Sequence, residues 1–354
     1  MEQITLADNT KLIVKDNVLA VFCDNALKTV SSAFYNGGHK QVKAVLNVGV
    51  PEGYNDRSLH LDPLELITSS AEKLGFTKDS KDYLAMITAA KITNYSLITK
   101  KTGDFSVSVA ATAGCQHGES SGEQMNVQEI RGTINIIVLI DSNPTDSCMV
   151  ASLITATEAK SAALRDLDVR SRYTGDSATG SITDSVTIVS TNQGKTISYG
   201  GPASKLGEAV GYCTRKAVTE ALIKQEPFWA CRTVVDRLKE RHLPLEKLAA
   251  EISKVEGLIV DATGLAEILT NKPVSLVYLL AAAKMDDDVK KNLLPAELGD
   301  AAEVSKCFGN PAHFELDCSK VPNYDSIDLP PFLKHALIKI VLNSLGEGKP
   351  KRLK

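Results

Sequence analysis

The sequence predicts an α/β or α+β domain over residues 1–225, with a mixed or antiparallel sheet and packed helices, followed by an α-helical module over 226–354. Three observations predict it. Short β-branched runs separated by Asp/Asn turn signals dominate the first part, and Ile134 to Ile140 is a nearly unbroken apolar run of the length of a buried strand. After Phe228 the strand signals nearly vanish and helical periodicity takes over.

In chain order, Ile4–Leu6, Lys11–Val14 and Val18–Phe22 read as a meander that opens a sheet. The turn-like Tyr35-Asn36-Gly37-Gly38 precedes a strand over Val42–Val50, and Pro63–Leu74 carries a helical pattern that stops at Gly75. Leu84–Ala89, Tyr95–Lys100 and Phe105–Ala111 are further strands, the last two joined by a hairpin turn at Lys101-Thr102-Gly103-Asp104. After the central apolar run, Ser142 or Asn143-Pro144 starts a helix in which Met149, Leu153, Ala156, Ala159, Ala163 and Leu167 recur at helical spacing. Asp184–Thr191 and Lys195–Tyr199 read as two strands around an Asn192-Gln193-Gly194 turn, and Leu206–Lys224 as an amphipathic helix. Five helices follow, over Thr233–Glu240, Leu245–Val255, Thr263–Leu269, Val274–Ala283 and Pro331–Leu345, with a loop over 292–328 and a basic tail over 349–354.

Composition narrows the function classes. The 354 residues are 43% hydrophobic, enough to bury a real core, and 40 basic against 43 acidic residues give a net charge of −3. That balance gives no electrostatic reason to expect nucleic acid or an anionic membrane as partner, and an aromatic fraction of 5% with Trp229 alone argues against a base-stacking platform. No apolar run is long enough to span a bilayer and the opening residues show no export signal, so a cytoplasmic protein is expected. The cysteines at 23, 115, 148, 213, 231, 307 and 318 form an odd set without a C-x-x-C pair, which suggests neither a disulfide framework nor a thiolate zinc site.

Small polar clusters sit at the ends of expected strands: Ala111–Gly114, Arg131–Asn135 and Asp176–Asp184. Loops there, held by a rigid sheet, collect binding and catalytic groups. Ala156-Thr157-Glu158-Ala159-Lys160 sets a carboxylate and an ammonium in an otherwise small, apolar stretch of helix, where a buried charge is costly unless paired.

In their order and spacing over roughly residues 1–224, these clusters resemble the adenosylcobinamide amidohydrolase (CbiZ) family. The resemblance is carried by Asn36 to Gly38 with Asn47, Thr112-Ala113-Gly114, Gly132-Thr133-Ile134-Asn135, Ala156 to Lys160 with Ala163-Leu164, Ala178-Thr179-Gly180 with Thr183-Asp184, and Leu206-Gly207-Glu208. Ser181 departs from the Thr expected there but keeps the hydroxyl. The resemblance implies hydrolysis of the amide that joins aminopropanol to the corrin ring of adenosylcobinamide. Cobalt would enter with the substrate, and no His, Cys or carboxylate spacing calls for a protein-bound metal or other cofactor. A non-catalytic corrinoid-binding protein is the alternative, and the helical module leaves homo-oligomerisation open.

On this reading Thr133, Glu158, Lys160 and Asp184 are the catalytic candidates, and Asn36, Gly37, Asn47, Thr112, Gly114, Asn135, Thr179 and Thr183 the substrate-binding ones. Two mechanisms stay open. In one, Thr133 attacks, as the hydroxyl residue does in the self-cleaving aminopeptidases that Gly132-Thr133 faintly resembles; Thr112 to Gly114 or Asn135 supplies oxyanion donors, and Lys160, Glu158 or Asp184 shuttles protons. In the other, Glu158 or Asp184 activates a water while Lys160 or a backbone nest holds the oxyanion. His39 is a candidate substrate contact or lower cobalt ligand, and Cys115 with His117 a weaker candidate dyad.

Overall fold

A computed structural model describes residues 2–51, 63–115, 118–124, 132–294 and 321–345, with residues 352–353 described by backbone alone. Arg131, His117, most of the expected loop over 292–328 and most of the basic tail lie outside the described residues. The chain divides into two compact units, one of Met1–Tyr173 and Ser177–Cys231, the other of Thr174–Asp176 and Arg232–Lys354.

In the first unit, the strands β1 (Glu2–Ala7), β2 (Thr10–Lys15), β3 (Val18–Ser31), β4 (Gly38–Gly49), β5 (Tyr83–Thr88), β6 (Ser96–Lys101), β7 (Ser106–Gly114), β8 (Thr133–Asp141) and β10 (Ser185–Ser190) build one mixed sheet. Its order is β1-β2-β3-β10-β8-β7-β6, and β4 branches from β3 to carry β5. The pairs β8–β10 and β4–β5 are parallel, the rest antiparallel. The sheet forms a half-barrel.

The strand β3 runs past the Phe22 at which the sequence predicts it to stop. Its register against β4 shifts between Phe22 and Leu27, so the exposed Asp24, Asn25 and Ala26 form an irregularity inside the strand instead of a turn. One half of β3 thereby pairs with β2 and the other with β10. A second expectation is corrected: residues 195–199 do not fold back on β10 as a hairpin. Both edges of β10 are taken by β3 and β8, so the short β11 (Thr196–Ile197) pairs instead with β9 (Asn143–Pro144) in a separate ribbon.

Strand β8 shows why the sheet has two apolar faces. Ile134, Ile136, Val138 and Ile140 pack into the core with the helices α2 (Asp146–Asp166) and α3 (Lys205–Gln225), while Ile137 and Leu139 join Leu19, Val45, Leu84 and Met86 in a second cluster with β3, β4 and β5. Thr145, not Ser142 or Asn143, caps α2 by accepting from Cys148 N at 3.2 Å, and Ser204 caps α3 by accepting from Gly207 N at 3.0 Å. The helix α1 (Pro63–Lys73) packs Leu66, Ile67 and Ala71 with Ala44, Leu46 and Tyr83.

The second unit is helical. It comprises α4 (Val234–Lys239), α5 (Leu245–Ile252), α6 (Ala262–Asn271), α7 (Pro273–Lys290) and α8 (Pro331–Leu345), with a two-residue pairing of β12 (Ile259–Val260) and β13 (Arg352–Leu353) that the sequence pattern did not announce. Leu238, Leu248, Leu265, Leu279, Leu333 and Leu337 belong to one buried core. Among the described residues no single helix is long and apolar enough to cross a membrane.

The buried Asp286 of α7 accepts from Phe332 N at 2.9 Å and Leu333 N at 2.8 Å, so its carboxylate satisfies the first turn of α8. Burial pushes the carboxyl up to about 6, against the pull of the two N–H donors, and the neighbouring Asp287 adds to the rise. The folded state therefore holds this proton more tightly than the unfolded chain, so stability must fall as pH rises from about 4 to 6. Urea midpoints across that range should decline in the native protein relative to Asp286→Asn; parallel profiles would remove this carboxyl from the pH dependence.

Candidate active site

One end of the half-barrel opens into a cleft of about 1600 Å³. It is lined by residues at the ends of β4 and β5, by α1, by Gly114 at the end of β7, by Gly132 and Thr133 at the start of β8, by Thr183 to Ser185 and by Gln225 and Glu226 at the end of α3. Phe34, Val50, Leu66, Met86 and Ile92 make much of its wall apolar.

Thr133 is the hydroxyl at the centre of the polar side. Its Oγ1 lies 2.8 Å from Thr183 Oγ1 and 2.8 Å from the carbonyl oxygen of Gly132, which also accepts from Thr183 Oγ1 at 3.3 Å. Gly132 has φ +99°, and a Cβ there would come within 2.7 Å of Gly114 O, so this carbonyl is presented by a residue that must be glycine.

Behind Thr133, Lys160 of α2 forms a buried ion pair with Asp184. Asp184 is spent on this frame: Oδ1 accepts from Ile134 N at 3.1 Å and from the Ser181 hydroxyl, while Oδ2 accepts from Lys160 Nζ and from Ser181 N at 3.1 Å. One carboxylate thus ties together α2, the loop before β10 and the first turn of chain in β8. A Cβ on Gly180 would sit 2.8 Å from Lys160 Nζ and closer still to Asp184 Oδ2, so a side chain there would have to displace the ion pair.

The predicted residues separate into groups. Thr133, Thr183, Asp184 and Gly114 reach the cleft, and Lys160 reaches it through its bond to Asp184. Asn47, Thr112 and Asn135 form a buried network: Asn47 Nδ2 donates to Thr112 Oγ1 at 2.8 Å, and Asn135 Nδ2 donates to Asn47 Oδ1 and to Ile87 O, both at 2.8 Å. Asn135 Oδ1 is left as a buried acceptor without a partner among the described residues, which costs stability unless a water or ligand donor reaches it. With its amide nitrogen committed in this way, Asn135 is not placed as an oxyanion donor.

The remaining four are not brought to Thr133. Glu158 is exposed and lines a different groove, of about 1280 Å³, beside Arg165 and Arg215 of α2 and α3. Thr179 lines that groove too, and its hydroxyl accepts from Ser121 N at 2.9 Å, pinning one loop to another. Asn36 has a left-handed backbone, and its side chain donates to Tyr83 O at 2.9 Å and Lys81 O at 3.1 Å; Gly37 presses its backbone against Ala33 O. These two build the turn between β3 and β4. His39 lies 3.4 Å from Asp146 and does not line the cleft.

Glu226 is a cleft residue that sequence reasoning missed. Its Oε2 accepts from Trp229 Nε1 at 2.6 Å and from Cys115 N at 3.3 Å. The available signal was a carboxylate at a helix C-terminus, where the helix dipole favours a cation, three residues before the chain's one tryptophan. Cys115 itself is fully buried, and burial pushes its thiol well above the usual range, with the charges of Asp184 and Glu226 adding to the rise. That direction disfavours the thiolate, the nucleophilic form. Among the described residues no three His, Cys, Asp or Glu side chains converge to hold a metal ion.

Comparison with known proteins gives this arrangement a context. A family model described as adenosylcobinamide amidohydrolase (CbiZ) matches residues 3–228. An adenosylcobinamide amidohydrolase of Methanosarcina mazei is 30% identical over 219 residues, covering 60% of this chain and 92% of that protein. An uncharacterized protein of Methanocaldococcus jannaschii is 28% identical over 235 residues, covering 61% of this chain and 89% of its own length. A Pyrococcus horikoshii protein of known crystal structure aligns at 10% identity with a TM-score of 0.34, over 61% of this chain and 83% of that one, a likeness too slight to carry an argument.

The frame makes an ordered prediction about stability. Removing Asp184 leaves a buried ammonium unpaired and backbone donors orphaned, whereas removing Lys160 leaves a carboxylate that still has other donors. Asp184→Ala should cost about 3–5 kcal/mol in urea denaturation and Lys160→Met clearly less. The reverse order would show that Asp184 is not the tie.

Proposed function

The chain belongs to the adenosylcobinamide amidohydrolase family, and on that footing we propose that it hydrolyses the amide joining aminopropanol to the corrin ring of adenosylcobinamide, giving adenosylcobyric acid and 1-aminopropan-2-ol. The observation that carries the choice of mechanism is the state of the carboxylates. Glu158 is on another face and Asp184 is saturated with donors, so neither of the two acids expected to activate a water is placed to do so. Thr133 is a hydroxyl on the cleft wall with the Thr183 hydroxyl beside it to take its proton, and we assign it as the nucleophile.

In this reading Thr133 Oγ1 attacks the amide carbonyl carbon of the substrate. The proton leaves through Thr183 and reaches the departing amine as the carbon–nitrogen bond breaks. An ester on Thr133 results, and water hydrolyses it to the free carboxylic acid while returning a proton to Oγ1. Lys160, held by Asp184, adds positive charge near the developing oxyanion, and Thr183 donates a hydrogen bond. The cleft volume exceeds the roughly 300–1,000 Å³ of sites for drug-sized ligands, in keeping with a macrocyclic substrate that brings its own cobalt.

Turnover is read as 1-aminopropan-2-ol released from adenosylcobinamide, followed by mass spectrometry. Thr133→Ala should lower the rate by at least about 10³-fold, as loss of a nucleophile does. Glu158→Gln should leave it within about threefold, the range of a residue outside the chemistry. Full activity in Thr133→Ala would return the reaction to an activated water, and binding without release in the native protein would favour a corrinoid carrier.

A further inference from the structure

The same hydroxyl faces a second amide, the one that precedes it in the chain. Thr133 Oγ1 lies 2.8 Å from the carbonyl oxygen of Gly132, so the acyl group of the preceding residue is within hydrogen-bond reach of the hydroxyl. Thr183 completes a ring. It can accept the Thr133 proton at 2.8 Å while its own hydroxyl proton points at Gly132 O, 3.3 Å away. That arrangement sets a proton acceptor for the attacking oxygen and a donor for the oxygen that would gain charge on one side chain. A positive-φ glycine packed close to Gly114 O fixes the carbonyl where both hydroxyls meet it, and Gly132, Thr133 and Thr183 all line the open cleft, where water can enter.

We propose that the chain cleaves its own peptide bond between Gly132 and Thr133. Thr133 Oγ1 bonds to the Gly132 carbonyl carbon, the bond from that carbon to the Thr133 nitrogen breaks, and the hydroxyl proton passes through Thr183 to the nitrogen, which becomes an amine. The product of this shift is an ester between Gly132 and Thr133 Oγ1. Water then adds to the acyl carbon, the carbon–Oγ1 bond breaks, and a proton returns to Oγ1. The chain ends as two fragments, 1–132 with a new carboxylate and 133–354 with an N-terminal threonine. No electrons are transferred and no co-reactant besides water is consumed.

Cleavage would alter the chemistry of the cleft. An N-terminal amine on the same residue as the hydroxyl is a base within reach of it, the kind of pairing by which N-terminal threonines are activated. The inference is separate from the amidohydrolase reading, because the scissile bond lies within the chain and its test needs no corrinoid.

The test is denaturing mass spectrometry and N-terminal sequencing of the purified full-length chain, sampled over several days of incubation. Conversion to fragments 1–132 and 133–354, with threonine as the new N-terminus, is expected. Thr133→Ala should remain full length, Thr133→Ser should still cleave, and both should keep the circular dichroism spectrum of the native chain, which separates loss of the hydroxyl from loss of the fold. Thr183→Val should slow the reaction at least about tenfold, as loss of a positioned proton relay does. Hydroxylamine should intercept the ester and leave a hydroxamate on Gly132. A native protein that stays at full-length mass throughout, a cut at another bond, or a cut that persists in Thr133→Ala would each overturn the proposal.

Discussion

A buried ion pair, Lys160 with Asp184, is the constraint from which the cleft takes its shape. Two charges taken out of water are costly unless they meet each other and further hydrogen bonds, and here the carboxylate meets both demands by gathering the Ile134 amide and two donors from Ser181. The consequence is positional. A helix, a loop and the first residues of a strand that come from separate parts of the sequence are fixed relative to one another at one point, and Thr133 is the residue immediately before the clamped Ile134 amide. The hydroxyl that faces the cleft is therefore held by its neighbour's backbone, while the group that holds it is too heavily engaged to act as a base.

The sheet topology explains why there is a cleft at that point. β10 lies between β3 and β8, and β4 and β5 branch from β3, so the inner face is lined from several strands. Most of that lining is apolar, as in the cluster of Leu19, Val45, Met86 and Leu139. Near the open end it changes to Asn47, Thr112 and Asn135, whose side chains satisfy one another in a chain of hydrogen bonds. A polar layer of this kind is tolerated because its members are paired, and the one acceptor left over, Asn135 Oδ1, belongs to it.

Much of the architecture was legible in the sequence, since strand and helix patterns depend on local periodicity. The apolar run of β8, buried along nearly its whole length, and the helical spacing of Met149, Ala156 and Ala163 survive in the fold. The misreadings concern pairing, which is decided elsewhere in the chain: the length of β3 reflects its two partners, and the fate of residues 195–199 reflects edges of β10 that were already occupied. The site was half legible for the same reason. Thr133, Thr183 and Asp184 stood out as small polar residues at strand ends, and Lys160 as a charge in an apolar helix. Glu158, two residues from Lys160, is a catalytic candidate alongside it, although that spacing on a helix already points the two side chains in different directions, and Glu158 is exposed. Glu226 gave little warning, as its role depends on where the end of α3 meets Cys115 and Trp229.

The central claim is that Thr133 carries the acyl group during amide hydrolysis. The most direct measurement is rapid acid quench of the protein with excess adenosylcobinamide, followed by mass spectrometry of the peptide that contains residue 133. The account predicts a transient ester on that peptide, with 1-aminopropan-2-ol appearing before adenosylcobyric acid. Simultaneous release of both products with residue 133 unmodified at every time point would contradict it.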